Sequence, residues 1–132
     1  MELIPNSHLD LLQDERKAIA ILSTVMSDGS PQSTPVWFDT EDGLIRVNTA
    51  RGRVKDENMS LRPAVAVVIL DPESIYRYVQ IRGLVVKSTE DGTRGHIDLL
   101  AKKYLGQQTY ENYDGETRVM YFIKPISVSV MG

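Results

Sequence analysis

Three cations, Arg51, Arg53 and Lys55, crowd a short stretch where an apolar run ends at Asn48 and Thr49 and Gly52 breaks the chain. Their types and spacing suit the binding of an anion. The residues that follow, 54–61, read as a short helix, and the free N–H groups and positive dipole end of a helix start favour a phosphate or similar group. Cations placed there oppose the dipole and gain little stability by themselves. The placement makes most physical sense with an anion lying between them. The competing reading is a solvated basic loop, and the local sequence weighs the two equally.

Other chemistries find little support. The chain has no cysteine, so disulfides, thiolate metal sites and a cysteine nucleophile are excluded. His8 and His96 fall on predicted helix faces without spaced partners, so no metal site is expected. No nucleophile with an oriented base can be assembled, and Glu90 and Asp98 read as solvated charges. The net charge is −3 over 132 residues. A basic cluster on that acidic background favours a discrete small anion over nucleic acid. The longest apolar run, residues 64–70, is far short of the ~18 residues that span a bilayer. The first residues lack the basic start and apolar core of a signal peptide, and a cytoplasmic protein is expected.

The elements that must position the basic turn can be read from periodicity. Residues 1–132 are expected to form one domain. Ser7 reads as the cap of a helix that ends near Lys17. Residues 18–27 form a strand, Asp28-Gly29 a hairpin turn, and residues 31–39 a second strand. A turn at Asp42-Gly43 leads to a third, residues 44–49, and these three strands form a meander. Residues 64–70, continuously apolar, read as a strand buried on both faces. A long strand over 76–88 directs Val79, Ile81, Leu84 and Val86 inward, with a bulge or bend at Gly83. Thr93 caps a helix reaching Leu105, and Gly106 terminates it. A polar loop, 107–115, precedes the last strand, 117–130. Six strands in meander order suggest a small antiparallel barrel with flanking helices, its interior filled by side chains. A cofactor then lies on the outer wall or at a subunit interface. Trp37, the only tryptophan, is placed between a core aromatic and a ligand contact. Tyr76, Tyr78, Tyr110 and Tyr113 read by default as interface cover.

This order of elements carries further motifs: Asp28-Gly29-Ser30-Pro31-Gln32, Thr34-Pro35-Val36-Trp37-Phe38, residues 48–58, residues 76–83 and Ala101-Lys102-Lys103-Tyr104-Leu105-Gly106. Together they resemble the flavin- and deazaflavin-dependent split β-barrel proteins, the pyridoxamine 5′-phosphate oxidase-like family. The likeness runs from about Ala18 to Gly132 and is nearest to the short branch that uses the deazaflavin F420. It implies a six-stranded antiparallel split barrel, of the FMN-binding type, that pairs as a homodimer with the cofactor in a groove between protomers. It places the family's phosphate contacts on Arg53 and Lys55, with Asn48, Thr49, Val54 and Asn58 in the same motif. It sets the ring-facing strand at Thr34, Pro35, Val36 and Trp37. Tyr78 falls near a position that is a ring-contacting glutamine in related flavin oxidases, and the residue type differs.

The resemblance implies an oxidoreductase that transfers a hydride between F420 and a small unsaturated organic substrate. FMN is the alternative cofactor, and its oxidases or reductases are the alternative activity. A non-catalytic flavin carrier or a haem-binding split barrel also stays open, although haem needs an axial ligand and the histidines are His8 and His96. Two departures argue against vitamin B6 oxidation. Arg53 and Lys55 are spaced by Val54 where the true oxidases set Arg beside Lys, and no C-terminal Arg- and His-bearing segment follows Gly132.

Overall fold

The computed structural model describes residues 2–132. Seven antiparallel strands form one sheet: β1 (Ile19–Val25), β2 (Pro31–Val36), β3 (Phe38–Glu41), β4 (Leu44–Ala50), β5 (Ala64–Asp71), β6 (Ser74–Thr89) and β7 (Arg118–Met131). Helix α1 (Val54–Leu61) lies between β4 and β5, and α2 (Thr93–Leu105) between β6 and β7. The sheet order is β2-β1-β5-β6-β7-β4-β3. Its two edges, β2 and β3, are neighbours in the chain, separated by Trp37 alone. One residue cannot span a flat seven-stranded sheet, since strands lie about 4.8 Å apart. The sheet therefore curls until its edges meet at Trp37, giving the split barrel that the sequence suggests.

The order is not the expected meander. β1 and β2 form a hairpin, as do β3 and β4, but β2 does not pair with β3. β5 pairs with β1, and β7 lies between β6 and β4. The stretch read as one strand over 31–39 is broken at Trp37 as it passes from one edge to the other, which raises the strand count from six to seven.

Strand register explains which residues fill the barrel. Leu22, Val67 and Ile81 pair across β1, β5 and β6 and are fully buried, as are Val47 and Tyr121 across β4 and β7. The run at 64–70 is not buried on both faces. Val65, Val67 and Ile69 point inward, while Ala66, Val68 and Leu70 are half-buried on the outer face, which neither helix covers. Val79 and Ile81 face the core as expected, but Leu84 and Val86 are exposed, because the alternation runs on through Gly83 and turns Val85 inward instead. A Cβ at Gly83 would lie 2.8 Å from the Lys124 carbonyl oxygen, so only glycine lets β7 approach.

The N-terminal segment forms two 3-10 turns, Asn6–Leu12 and Asp14–Arg16, in place of the expected α-helix. Its buried His8-to-Leu11 spacing fits a three-residue turn, and the His8 and Gln13 N–H groups bond three residues back. Ser7 is not its cap; Pro5 is. α2 starts from Gly92, in the left-handed region, and the Thr93 hydroxyl donates back to the Glu90 carbonyl.

Arg16 and Arg77 both clamp the Asp71 carboxylate, at 2.8 and 3.0 Å, and Arg77 also binds Asp10. The backbone N–H of Glu73 together with these guanidinium groups lowers the Asp71 pKa from 3.8 to about 2. A carboxylate depressed in the folded state stabilises above its unfolded pKa and loses that effect as pH falls through the folded value. The urea midpoint of the wild type should therefore exceed that of Asp71→Asn at neutral pH, with the gap closing between pH 4 and pH 2. A gap independent of pH would show that the clamp contributes no proton-linked stability.

Candidate functional site

β4 carries the chain out of the barrel, and the turn after it is fixed from several sides. The Arg51 N–H donates to the Thr117 carbonyl, and the Arg53 N–H to that of Ala50. Buried Asp56, in the first turn of α1, is the centre of the local structure. It accepts from the Gly52 N–H at 3.0 Å, the Arg51 guanidinium at 3.1 Å and the Tyr121 hydroxyl at 2.7 Å. Gly52, at φ +91°, supplies the left-handed bend. The basic turn is thus tied to the barrel core through Tyr121.

This arrangement separates the three cations. Arg51 turns to Glu90 at 2.9 Å and to Asp56, so it is neutralised, and Glu90, an exposed charge as expected, also has a pairing role. Arg53 and Lys55 have no carboxylate partner among the described residues. Arg118, which opens β7 opposite Ala50, joins them with its own partner, Glu116, at 2.9 Å. Burial, then the like charges of Arg53 and Arg118, depress the pKa of Lys55. An anion between these groups would act in the opposite direction.

The cations form one end of an outer-wall cavity of about 580 Å³, the size of a small-molecule site. Its lining is Ile19, Pro35, Val36, Trp37, Asn48, Thr49, Arg53, Lys55, Ile97, Tyr104, Leu105, Tyr110, Asn112 and Arg118. The other end is aromatic. Trp37 stacks on Tyr104 with centroids 5.5 Å apart, and Tyr110 meets its edge at 6.2 Å. Arg118 lies over the Tyr110 ring, joining the two ends. The Tyr104 hydroxyl donates to the Ala18 carbonyl, and burial pushes its pKa well up, so it is committed as a structural donor. Asp98 accepts from the Tyr110 N–H and holds the loop over the cavity, so it too is more than a solvated charge.

Pro35, Val36, Trp37, Asn48, Thr49, Arg53 and Lys55 therefore come together from the sequence-derived set. Thr34, Val54, Asn58 and Tyr78 do not line the cavity. Thr34 pairs with core Leu22, and its buried hydroxyl has no partner. Val54 is exposed on α1. Asn58 is buried and joins Thr24 to Arg62, a structural role. Tyr78 pairs with Leu70 and Met131 on the open sheet face. Sequence reasoning passed over Arg118, whose signal was a lone cation opening an apolar strand. It also passed over Tyr104 and Leu105, whose helical spacing read only as packing.

The buried, unpartnered hydroxyl of Thr49 and the two unpaired cations fit a phosphate-bearing group, and the aromatic end fits a planar one. The structure is thus an antiparallel split barrel with a cationic and aromatic cleft on its wall. The family profile of pyridoxamine 5′-phosphate oxidase matches residues 7–129, and the chain belongs to that family. A solved structure described as an F420 reductase is 33% identical with a TM-score of 0.84, the match covering 96% of this chain and 98% of that one. A putative pyridoxamine 5′-phosphate oxidase from Listeria innocua shares the fold at 18% identity and a TM-score of 0.71, covering 95% of each chain. General Stress Protein 26 from Bacillus anthracis str. Sterne shares it at 24% identity and 0.66, covering 94% of each. Among curated proteins none matches the chain.

Because Asp56 satisfies three donors, its removal strands the Gly52 N–H and the Arg51 guanidinium and leaves the buried Tyr121 phenol only the Asp56 backbone carbonyl, at 3.1 Å. Asp56→Ala should lower the unfolding free energy by about 2 kcal/mol, read from the urea midpoint. Tyr121→Phe should cost about 1 kcal/mol in the same assay. A pair of unchanged midpoints would mean that the turn holds its shape without Asp56.

Proposed function

We propose that the protein is an oxidoreductase that binds F420 in this cavity and transfers a hydride between it and a small unsaturated organic substrate. The observation that carries the reading is the pair of unpaired cations, Arg53 and Lys55, at one end of a cleft whose other end is Trp37 and Tyr110. The 33% identity to a protein described as an F420 reductase favours the deazaflavin over FMN. FMN remains the second reading, because its phosphate would satisfy the same cations.

When bound, the cofactor supplies the redox chemistry, so the lack of a nucleophile–base pair does not count against an enzyme. The chain's own residues bind and orient. Arg53, Lys55 and Arg118 take the anionic tail, while Pro35, Val36 and Trp37 form a wall for the ring. With the Tyr104 hydroxyl committed to Ala18, proton delivery falls to solvent or to Tyr110.

A cytoplasmic homodimer goes with this reading. Ile19 belongs both to the cavity lining and to an outer row of β1, β5, β6 and β7 that continues through Leu70, Tyr78 and Met131. A second copy laid on that row would cover the half-buried face of β5 and complete the cavity wall.

Fluorescence titration of the apoprotein with F420 and with FMN tests the assignment. Tighter binding of F420 is expected, and Lys55→Ala should weaken it by about tenfold, ~1.4 kcal/mol, with a smaller change in rate at saturating cofactor. Preference for FMN would move the protein to the second reading. Equal affinity of mutant and wild type would remove Lys55 as an anchor.

A further inference from the structure

One chain of buried polar side chains reaches the cavity from behind. His96, on α2, is 3% exposed and lies between β3 and β4. Its Nε2 is 3.0 Å from Asp39 Oδ1, and its Nδ1 is 3.1 Å from Asn48 Nδ2. Two other partners fix the direction of the Asn48 amide. The Thr93 carbonyl, which only accepts, lies 3.1 Å from Nδ2, and Arg118 Nε, which only donates, lies 2.8 Å from Oδ1. Reversing the amide would set donor against donor at Arg118 and acceptor against acceptor at Thr93. The amide NH2 therefore faces His96, whose Nδ1 must accept. That leaves His96 neutral, with its hydrogen on Nε2 and donated to Asp39. Arg46 holds Asp39 through two further bonds, at 2.8 and 2.7 Å. Donation thus runs one way, from Arg118 to Asn48 to His96 to Asp39.

Resting on the reading of the cavity as an anion site, the geometry points to His96 as a positioning residue that, while neutral, holds the Arg118 guanidinium in the cavity wall through Asn48. A protonated ring would present an N–H to the Asn48 amide. Asn48 could then satisfy His96 or Arg118 and Thr93, but not all three. The charged groups around the ring are Asp39 on β3, Arg46 on β4 and Arg118 on β7, with Glu41 and Glu116 behind the two arginines. Lys103 of α2 and Asp14 lie on the far side of Asp39. Anion affinity is coupled in this way to the unprotonated state of His96, and protonating the ring lowers it.

Two variants and one spectrum test this. His96→Gln keeps an acceptor and a donor but does not titrate, whereas His96→Leu has neither. F420 and FMN affinities are measured by fluorescence at about pH 8 and about pH 5.5, spanning the imidazole range, and the ratio of wild type to His96→Gln cancels the ligand's own titration. That ratio should fall by about tenfold on acidification, and His96→Leu should bind about tenfold more weakly than wild type at the higher pH. A constant ratio, or a His96→Leu affinity equal to wild type, overturns the proposal while leaving the cavity reading intact. Imidazole nitrogen NMR of the ligand-free protein, assigned by the loss of signals in His96→Gln, gives a readout independent of binding. An unprotonated Nδ1 and a protonated Nε2 at neutral pH support the relay, and an Nδ1–H form or an imidazolium overturns it. Binding of neither cofactor by the wild type would instead defeat the cavity reading, and with it the role of His96 toward an anion.

Discussion

The structure depends on a connection of one residue. β2 and β3 stand at opposite ends of the sheet order, yet only Trp37 separates them. That constraint forces closure. That curl leaves the two edge strands unpaired with each other, and Pro31 and Pro35 blunt β2 against pairing with other chains. It also sets the indole at the seam, on the outer wall, where α2 supplies Tyr104 and the following loop supplies Tyr110. The aromatic end of the cavity is therefore a product of the same geometry that closes the barrel. Lys103 reinforces it from behind, donating to the Phe38 carbonyl at 2.7 Å while lying over the Phe38 ring.

The electrostatic contrast around the barrel gives the other end its meaning. Arg16 and Arg77 share Asp71, Arg46 pairs with Asp39 and Glu41, and Arg51 pairs with Asp56 and Glu90. These pairs fix turns and strands in place. Arg53 and Lys55 have no such partner among the described residues, as is true of Lys17 and Arg82, but they differ from those in lining the cavity. A turn that is itself braced by Asp56 holds these like charges together, so they disfavour one another, and an anion between them would act in the opposite direction.

Much of this was legible in the sequence, and the failures have physical causes. The basic turn, α1 with its bounds, the bulge at Gly83 and the stop at Gly106 follow from local chemistry, and each appears where spacing puts it. Strand order was not legible, because a meander and the observed pairing have the same periodicity. The apolar run of β5 was misread for a related reason: composition alone does not tell two buried faces from one buried and one half-buried. Asn58 looked like part of an anion motif, but burial commits it to Thr24 and Arg62. Arg118 and His96 were missed because their role lies in contacts across β4, β7 and α2, distant in the chain.

The account stands or falls on where an anionic, planar cofactor sits. A crystal structure of the protein loaded with F420, and a second with FMN, measures this directly. The account predicts a phosphate among Arg53, Lys55 and Arg118, with the ring against Pro35, Val36 and Trp37. A cofactor bound elsewhere, with Arg53 and Lys55 left in solvent, would contradict it.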